Sequence, residues 1–161
     1  MERICKTNYY LDIAQTVASR STCLRRKYGA LIVKDDVIVS TGYNGAPRGR
    51  QNCTDLVCCQ REKMNIPRGE RFELCRSVHS EMNAIIAASR DIMLGSVMYQ
   101  ACVNPVTGGL EPDIDSCQMC KRLIINAGIA TVVFRCTPTK FKTVTVADWV
   151  TDDDSLGTIG Y

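Results

Sequence analysis

The chain reads as an α/β domain, layered around one sheet, and three observations predict it. Apolar, strand-like runs alternate with segments of helical periodicity along the whole length. No repeat, low-complexity stretch or linker divides the 161 residues, so residues 1–161 form one domain with enough core to fold alone. A hydrophobic content of 45% beside 23% charged residues is ordinary for a soluble globular protein.

The elements follow in order. Residues about 6 to 22 predict a helix, with Tyr10, Ile13, Ala14, Val17 and Ala18 on one face. Two strands come next, Tyr28 to Val33 and Val37 to Thr41, joined through Lys34-Asp35-Asp36 as a tight hairpin turn. Gly42-Tyr43-Asn44-Gly45-Ala46-Pro47-Arg48-Gly49 is glycine-rich enough to predict a loop. Residues 50–77 are polar, cysteine-bearing and irregular, and read as an insertion. A helix begins near His79, where Glu81 opens the apolar run Met82, Ala84, Ile85, Ile86, Ala87 and Ala88. The strand Ser96 to Val103 follows, then a long loop over residues 104–115. Cys117 to Ala127 reads as a helix, with Ser116 or Asp115 as N-cap and Gly128 as its stop. Ala130 to Arg135 is an apolar strand, and Val144 to Val150 reads as a last strand or edge.

The chemistry concentrates in His79-Ser80-Glu81 followed by Cys117 and Cys120. One imidazole and two thiolates leave a zinc ion one ligand short of four, so a water can take the open place. Such a water is acidified toward neutrality. Glu81, two residues from His79, can move protons without being needed as a ligand. His79 is the only histidine in the chain. These ligands would sit at the amino ends of two helices, where the dipole favours thiolate over thiol.

A second set, Cys23, Cys53, Cys58, Cys59 and Cys75, lies upstream. Four cysteines around a metal make a closed structural zinc site, which would order the 50–77 segment despite its few apolar residues. The choice is Cys23, Cys53, Cys59 and Cys75, with Cys58 as the alternative to Cys59. Cys5, Cys102 and Cys136 sit in apolar contexts and read as packing residues.

Charge and composition narrow the partners. Two zinc ions add four positive charges and six thiolates remove six, which takes the formal +3 to +1. So small an excess, with 6% aromatic residues, offers no footprint for nucleic acid. No apolar run approaches a membrane span and no amino-terminal signal segment is visible, so no membrane partner is expected. The cytoplasm is the expected compartment, where ten cysteines speak for metal rather than disulfides.

Taken together, these residues resemble the deoxycytidylate (dCMP) deaminases within the cytidine deaminase superfamily, over about Tyr10 to Val133. The resemblance rests on Ala18-Ser19-Arg20-Ser21-Thr22-Cys23, Tyr28-Gly29-Ala30-Leu31-Ile32-Val33 and the Gly42–Pro47 run. It continues through Glu73-Leu74-Cys75-Arg76, His79-Ser80-Glu81-Met82-Asn83-Ala84-Ile85, Cys117-Gln118-Met119-Cys120 and Ile124-Ile125-Asn126-Ala127-Gly128-Ile129. The spacing is that of the zinc deaminase signature, H-x-E with P-C-x-x-C. The tyrosine-asparagine-glycine loop separates this family from deaminases of free nucleosides.

The resemblance implies a three-layer α/β/α sandwich with a central mixed sheet, and hydrolysis of dCMP to dUMP and ammonia. It gives Glu81 the proton transfers, Asn44 a contact to the sugar and the backbone around Ser80 a hold on the pyrimidine. Arg26 is the choice for the phosphate, with Arg48 and Lys121 as rivals. A structural zinc held partly by residues matching Cys23 and Cys53 also follows from the resemblance. So does a homo-oligomer, commonly a hexamer, switched by the effectors dCTP and dTTP near the loop matching residues 42–49. Three features depart from the family pattern: Ser116 for proline, Ser80 for alanine, and the longer loop between Val103 and Asp115. Two competing readings are a deaminase of another pyrimidine nucleotide or nucleoside, and a non-catalytic, zinc-stabilised interaction protein with a deaminase-like core.

Overall fold

A computed structural model describes residues 1–157. Five strands form one sheet in the order β2-β1-β3-β4-β5. They are β1 (Lys27–Lys34), β2 (Val37–Tyr43), β3 (Val97–Val103), β4 (Thr131–Arg135) and β5 (Phe141–Thr145). β3 and β4 are parallel and the other neighbours antiparallel, so the sheet is mixed.

The layering follows from the two-residue period of a strand. In β1, Ala30 and Ile32 face one core with Ala84, Met98, Ile124 and Phe134. Leu31 and Val33 face the other, with Tyr10, Leu11 and Ala14 of α1 (Lys6–Ala18). Both faces are therefore covered, which is why β1 is continuously apolar. The expected three-layer sandwich is what forms: α1 on one face, α4 (Ser80–Ile86) and α6 (Gln118–Ala127) on the other. Among the described residues no helix is long and apolar enough to cross a membrane.

Close approach fixes the layers. A Cβ on Gly29 would stand 2.0 Å from the Ala14 carbonyl oxygen of α1. A Cβ on Gly42 would stand 2.3 Å from the Ser80 carbonyl oxygen and 2.4 Å from the Ala84 nitrogen of α4. Two hydrogen bonds pin the same face of α4: Ser40 Oγ donates to the Ala84 carbonyl at 2.7 Å, and Asn83 Nδ2 to the Tyr43 carbonyl at 2.8 Å.

Several element readings need correction. α1 ends at Ala18 rather than near residue 22, and its buried stripe is Tyr10, Leu11, Ala14 and Ala18, with Ile13 and Val17 only half-buried. β2 runs on through Gly42 and Tyr43, because both pair with β1. The hairpin turn is tight, with Asp35 and Asp36 at φ of 49° and 63°, the left-handed pair that suits strand twist. Residues 50–77 hold two short helices, α2 (Cys53–Leu56) and α3 (Gln60–Lys63), and a 3-10 turn at Phe72–Leu74. α4 is not buried along its run: it stops at Ile86, itself 76% exposed, and a further short helix, α5 (Arg90–Met93), follows. The run from Val144 divides, since its strand ends at Thr145 and α7 (Val146–Thr151) begins. Cys5 is exposed, not packed; it caps α1, with its sulfur accepting from the Asn8 nitrogen at 3.5 Å.

Candidate active site

Two helix starts converge on one point. His79 is the N-cap of α4 and Cys117 the N-cap of α6, both with extended backbone. The N-cap is Cys117 and not Ser116 or Asp115; Asp115 instead accepts from the Ser116 nitrogen at 2.8 Å, and the Ser116 hydroxyl is buried without a partner. Val78 is held opposite Gly45 by a pair of backbone hydrogen bonds, which aims His79 inward.

The geometry brings the three predicted ligands together. His79 Nδ1 lies 3.5 Å from Cys117 Sγ and 3.4 Å from Cys120 Sγ. All three ligand atoms lie within 4.8 Å of one another, and among the described residues no second group of three gathers as tightly. One imidazole nitrogen and two sulfurs match the set that zinc takes when a fourth position is left open. Phe72 meets the His79 ring edge-on, with centroids 5.3 Å apart.

The electrostatics are those of a shared thiolate. A hydrogen bond from Cys120 pulls the Cys117 thiol down to about 5, against burial and with help from His79. The same contact, with burial, pushes Cys120 upward. Burial opposes charging His79, yet hydrogen bonds to Cys117 and Cys75 raise it to about 10. Cys75 responds in kind: burial works against ionisation, but His79 and Ser77 hold its thiol below the usual range. A divalent cation can replace the protons this cluster holds so unevenly.

Glu81 sits in the first turn of α4, 5% exposed, and Ser80 Oγ donates to its Oε2 at 3.0 Å. The serine hydroxyl is therefore turned onto the carboxylate. Both residues line a cavity of about 400 Å³ together with His79, Cys117, Asn44 and Arg26. Asn44 is largely committed to the protein. Its Oδ1 accepts from Ser21 Oγ and the Tyr28 nitrogen, at 2.6 and 2.8 Å, and its Nδ2 donates to the Arg26 carbonyl at 2.9 Å. One amide hydrogen remains for a ligand.

Of the rival cations, neither reaches the cavity. Arg48 is exposed elsewhere. Lys121 is 7% exposed and held by Asp154 at 2.9 Å and Asp115 at 3.5 Å, over the Trp149 ring. Sequence reasoning missed Tyr28, Phe72 and Glu111, which also line the cavity. Tyr28 had a signal, since it precedes Gly29 at the start of an apolar strand; Glu111 had none.

Cys23, Cys59 and Cys75 line this same cavity. Cys53 is buried, and its thiol is raised by that burial and then by Cys23, Cys75 and Cys59.

Comparison with known proteins agrees with the geometry. The family model described as the cytidine and deoxycytidylate deaminase zinc-binding region matches residues 5–136. A deoxycytidylate deaminase of Mycobacterium phage D29 is 37% identical over 130 residues, covering 78% of this chain and 91% of that protein. The deoxycytidylate deaminase of Saccharomyces cerevisiae is 32% identical over 127 residues, 79% of this chain but 36% of its own length. The crystal structure of the apo dCMP deaminase from cyanophage S-TIM5 superposes with a TM-score of 0.56 at 26% identity, over 80% of this chain and 81% of that one. With the sheet order, the His–Cys–Cys cluster and these likenesses in agreement, the chain belongs to the cytidine and deoxycytidylate deaminase family of zinc-binding proteins.

Proposed function

We propose that this protein hydrolyses dCMP to dUMP and ammonia, with zinc held by His79, Cys117 and Cys120. The observation that carries the reading is Glu81: a buried carboxylate beside a three-ligand cluster, with no role in holding the fold that its hydrogen bond to Ser80 would explain. When bound, zinc supplies Lewis acidity to a water at its open coordination position. Glu81 accepts the proton released as water adds to the pyrimidine carbon bearing the amine. It passes that proton to the ring nitrogen, then carries the second, taken from the hydroxyl now on the carbon, to the departing amine, so that water and dCMP balance dUMP and ammonia. Ser80 holds that carboxylate by its hydroxyl, and the backbone around it faces the pyrimidine edge. Asn44 offers its spare amide hydrogen to the sugar, and Arg26 stands on the wall where the sugar-phosphate leaves.

Measuring ammonia release across dCMP, dCTP, CMP, cytidine and deoxycytidine tests the substrate. Turnover of cytidine alone would reject the nucleotide reading, and turnover of none would favour a zinc-stabilised interaction protein.

The same reading includes a second, structural zinc on Cys23, Cys53, Cys59 and Cys75. What supports it is that three of these cysteines line one cavity and that all three act on Cys53. Cys59, rather than Cys58, is among the thiols felt by Cys53. Assembly into a homo-oligomer, with dCTP and dTTP as effectors near residues 42–49, completes the proposal. Sedimentation with and without each nucleotide tests it.

A further inference from the structure

We propose that Glu111 is a specificity residue that limits how much negative charge the pocket accepts, by neutralising Arg26 and opposing further phosphates; the inference rests on the nucleotide deaminase reading. The long loop that carries Glu111 is built, not slack. Asn104 Oδ1 accepts from the nitrogens of Val106 and Thr107 at 2.9 and 3.2 Å. The Asn104 nitrogen donates to the Gly109 carbonyl, and the Gly108 nitrogen to the Asn104 carbonyl, both at 2.8 Å. Leu110 bridges Val103, and the Glu111 nitrogen donates to the Cys102 carbonyl at 3.0 Å, so the returning chain extends the sheet register.

That scaffold sets the carboxylate in one place. Glu111 Oε2 accepts from Arg26 Nη2 at 3.3 Å, and Oε1 accepts from Asn104 Nδ2 at 3.0 Å. The two charged side chains are 23% and 21% exposed and line the cavity, so they look into it rather than into bulk water.

The cavity wall holds four guanidinium groups, those of Arg25, Arg26, Arg61 and Arg68. Arg25 pairs with Glu62 at 3.0 Å. Arg61 is fixed by the carbonyls of Pro67 and Glu70 and lies over the Phe72 ring. One phosphate can be met by Arg26 with the other cations of the cavity. A longer polyphosphate brings further charge to the same wall, where Arg26 is already matched in part by Glu111 and Glu111 repels it. Like charges juxtaposed in a partly dry cleft discriminate strongly, and a built-in repulsion is a common way to refuse a near relative.

The test is equilibrium binding of dUMP, dUTP and inorganic pyrophosphate to the zinc-loaded protein by calorimetry, the uracil nucleotides having no amine to lose. Glu111→Gln is expected to tighten dUTP and pyrophosphate by about tenfold relative to dUMP, the scale of a coupling between close charges. Adding Arg26→Gln to it should remove most of that gain, and Glu111→Asp, which keeps the charge, should keep the selectivity of the natural protein. A relative change below about threefold, or a gain that persists without Arg26, overturns the proposal. Because binding is read without turnover, failure of dCMP hydrolysis would sink the deaminase reading separately.

Discussion

At the scale of single residues, Glu81 makes the sharpest prediction. Glu81→Gln keeps the side chain's shape and its contact with Ser80 but removes the proton carrier. Turnover should fall at least about a hundredfold while zinc content and melting temperature hold, because a positioned acid–base group contributes that much or more. Full activity in this variant would remove the proton-transfer role. Ser80→Ala gives a graded companion. The hydroxyl now bonds the carboxylate at 3.0 Å, so its loss should lower turnover by a smaller factor, about three- to tenfold, with dCMP affinity little altered. A steady-state comparison that moved only KM would show the hydroxyl serving the substrate instead. These residues were legible in the sequence because their types are scarce: one histidine in the chain, and two cysteines three apart at a helix start. Glu111 was not legible. Its meaning depends on a loop folding back onto Cys102, which no local pattern announces.

At the scale of elements, the site depends on how closely α4 lies on β2. Gly42→Ala would drive a methyl against the Ser80 and Ala84 backbone, costing about 1–3 kcal/mol as overpacking does and shifting the segment that carries His79 and Glu81. Gly29→Ala makes a comparable clash with Ala14 and Ala18, but on the face of the sheet that holds α1. Both variants should melt earlier, and only Gly42→Ala should release zinc faster to a competing chelator. Equal zinc release from the two would show that α4 is not positioned through Gly42. Most element types were readable from periodicity, and the errors have physical causes. Ile86 stands exposed because α4 is only seven residues long and turns its last residue outward. The valine-rich run near the end reads as one strand, yet Val146 packs into the core as the start of α7, where burial overrides β propensity.

At the scale of the whole molecule, zinc joins segments far apart in sequence. His79 lies 38 residues from Cys117, so a shared ion links the two helices as a clasp would. A ligand bound by the folded state alone stabilises it by mass action. Stripping metal with a strong chelator should therefore lower the melting temperature by several degrees, and restoring zinc should recover it. Metal analysis should give about two zinc ions per chain. A value of one would remove the four-cysteine site and leave the catalytic cluster standing. The layered fold was legible at this scale because β1 is apolar on both faces, a pattern that only a sheet covered on both sides satisfies.

Lys121 carries one more consequence. Its ammonium is tied to Asp154, 33 positions onward, and it directly follows Cys120. Clipping or replacing Asp154 would leave a cation nearly shut from solvent with only a weaker carboxylate nearby, right behind a sulfur donor. The turn that carries Asp154 thus steadies, through one ion pair, the helix whose Cys120 would grip the ion.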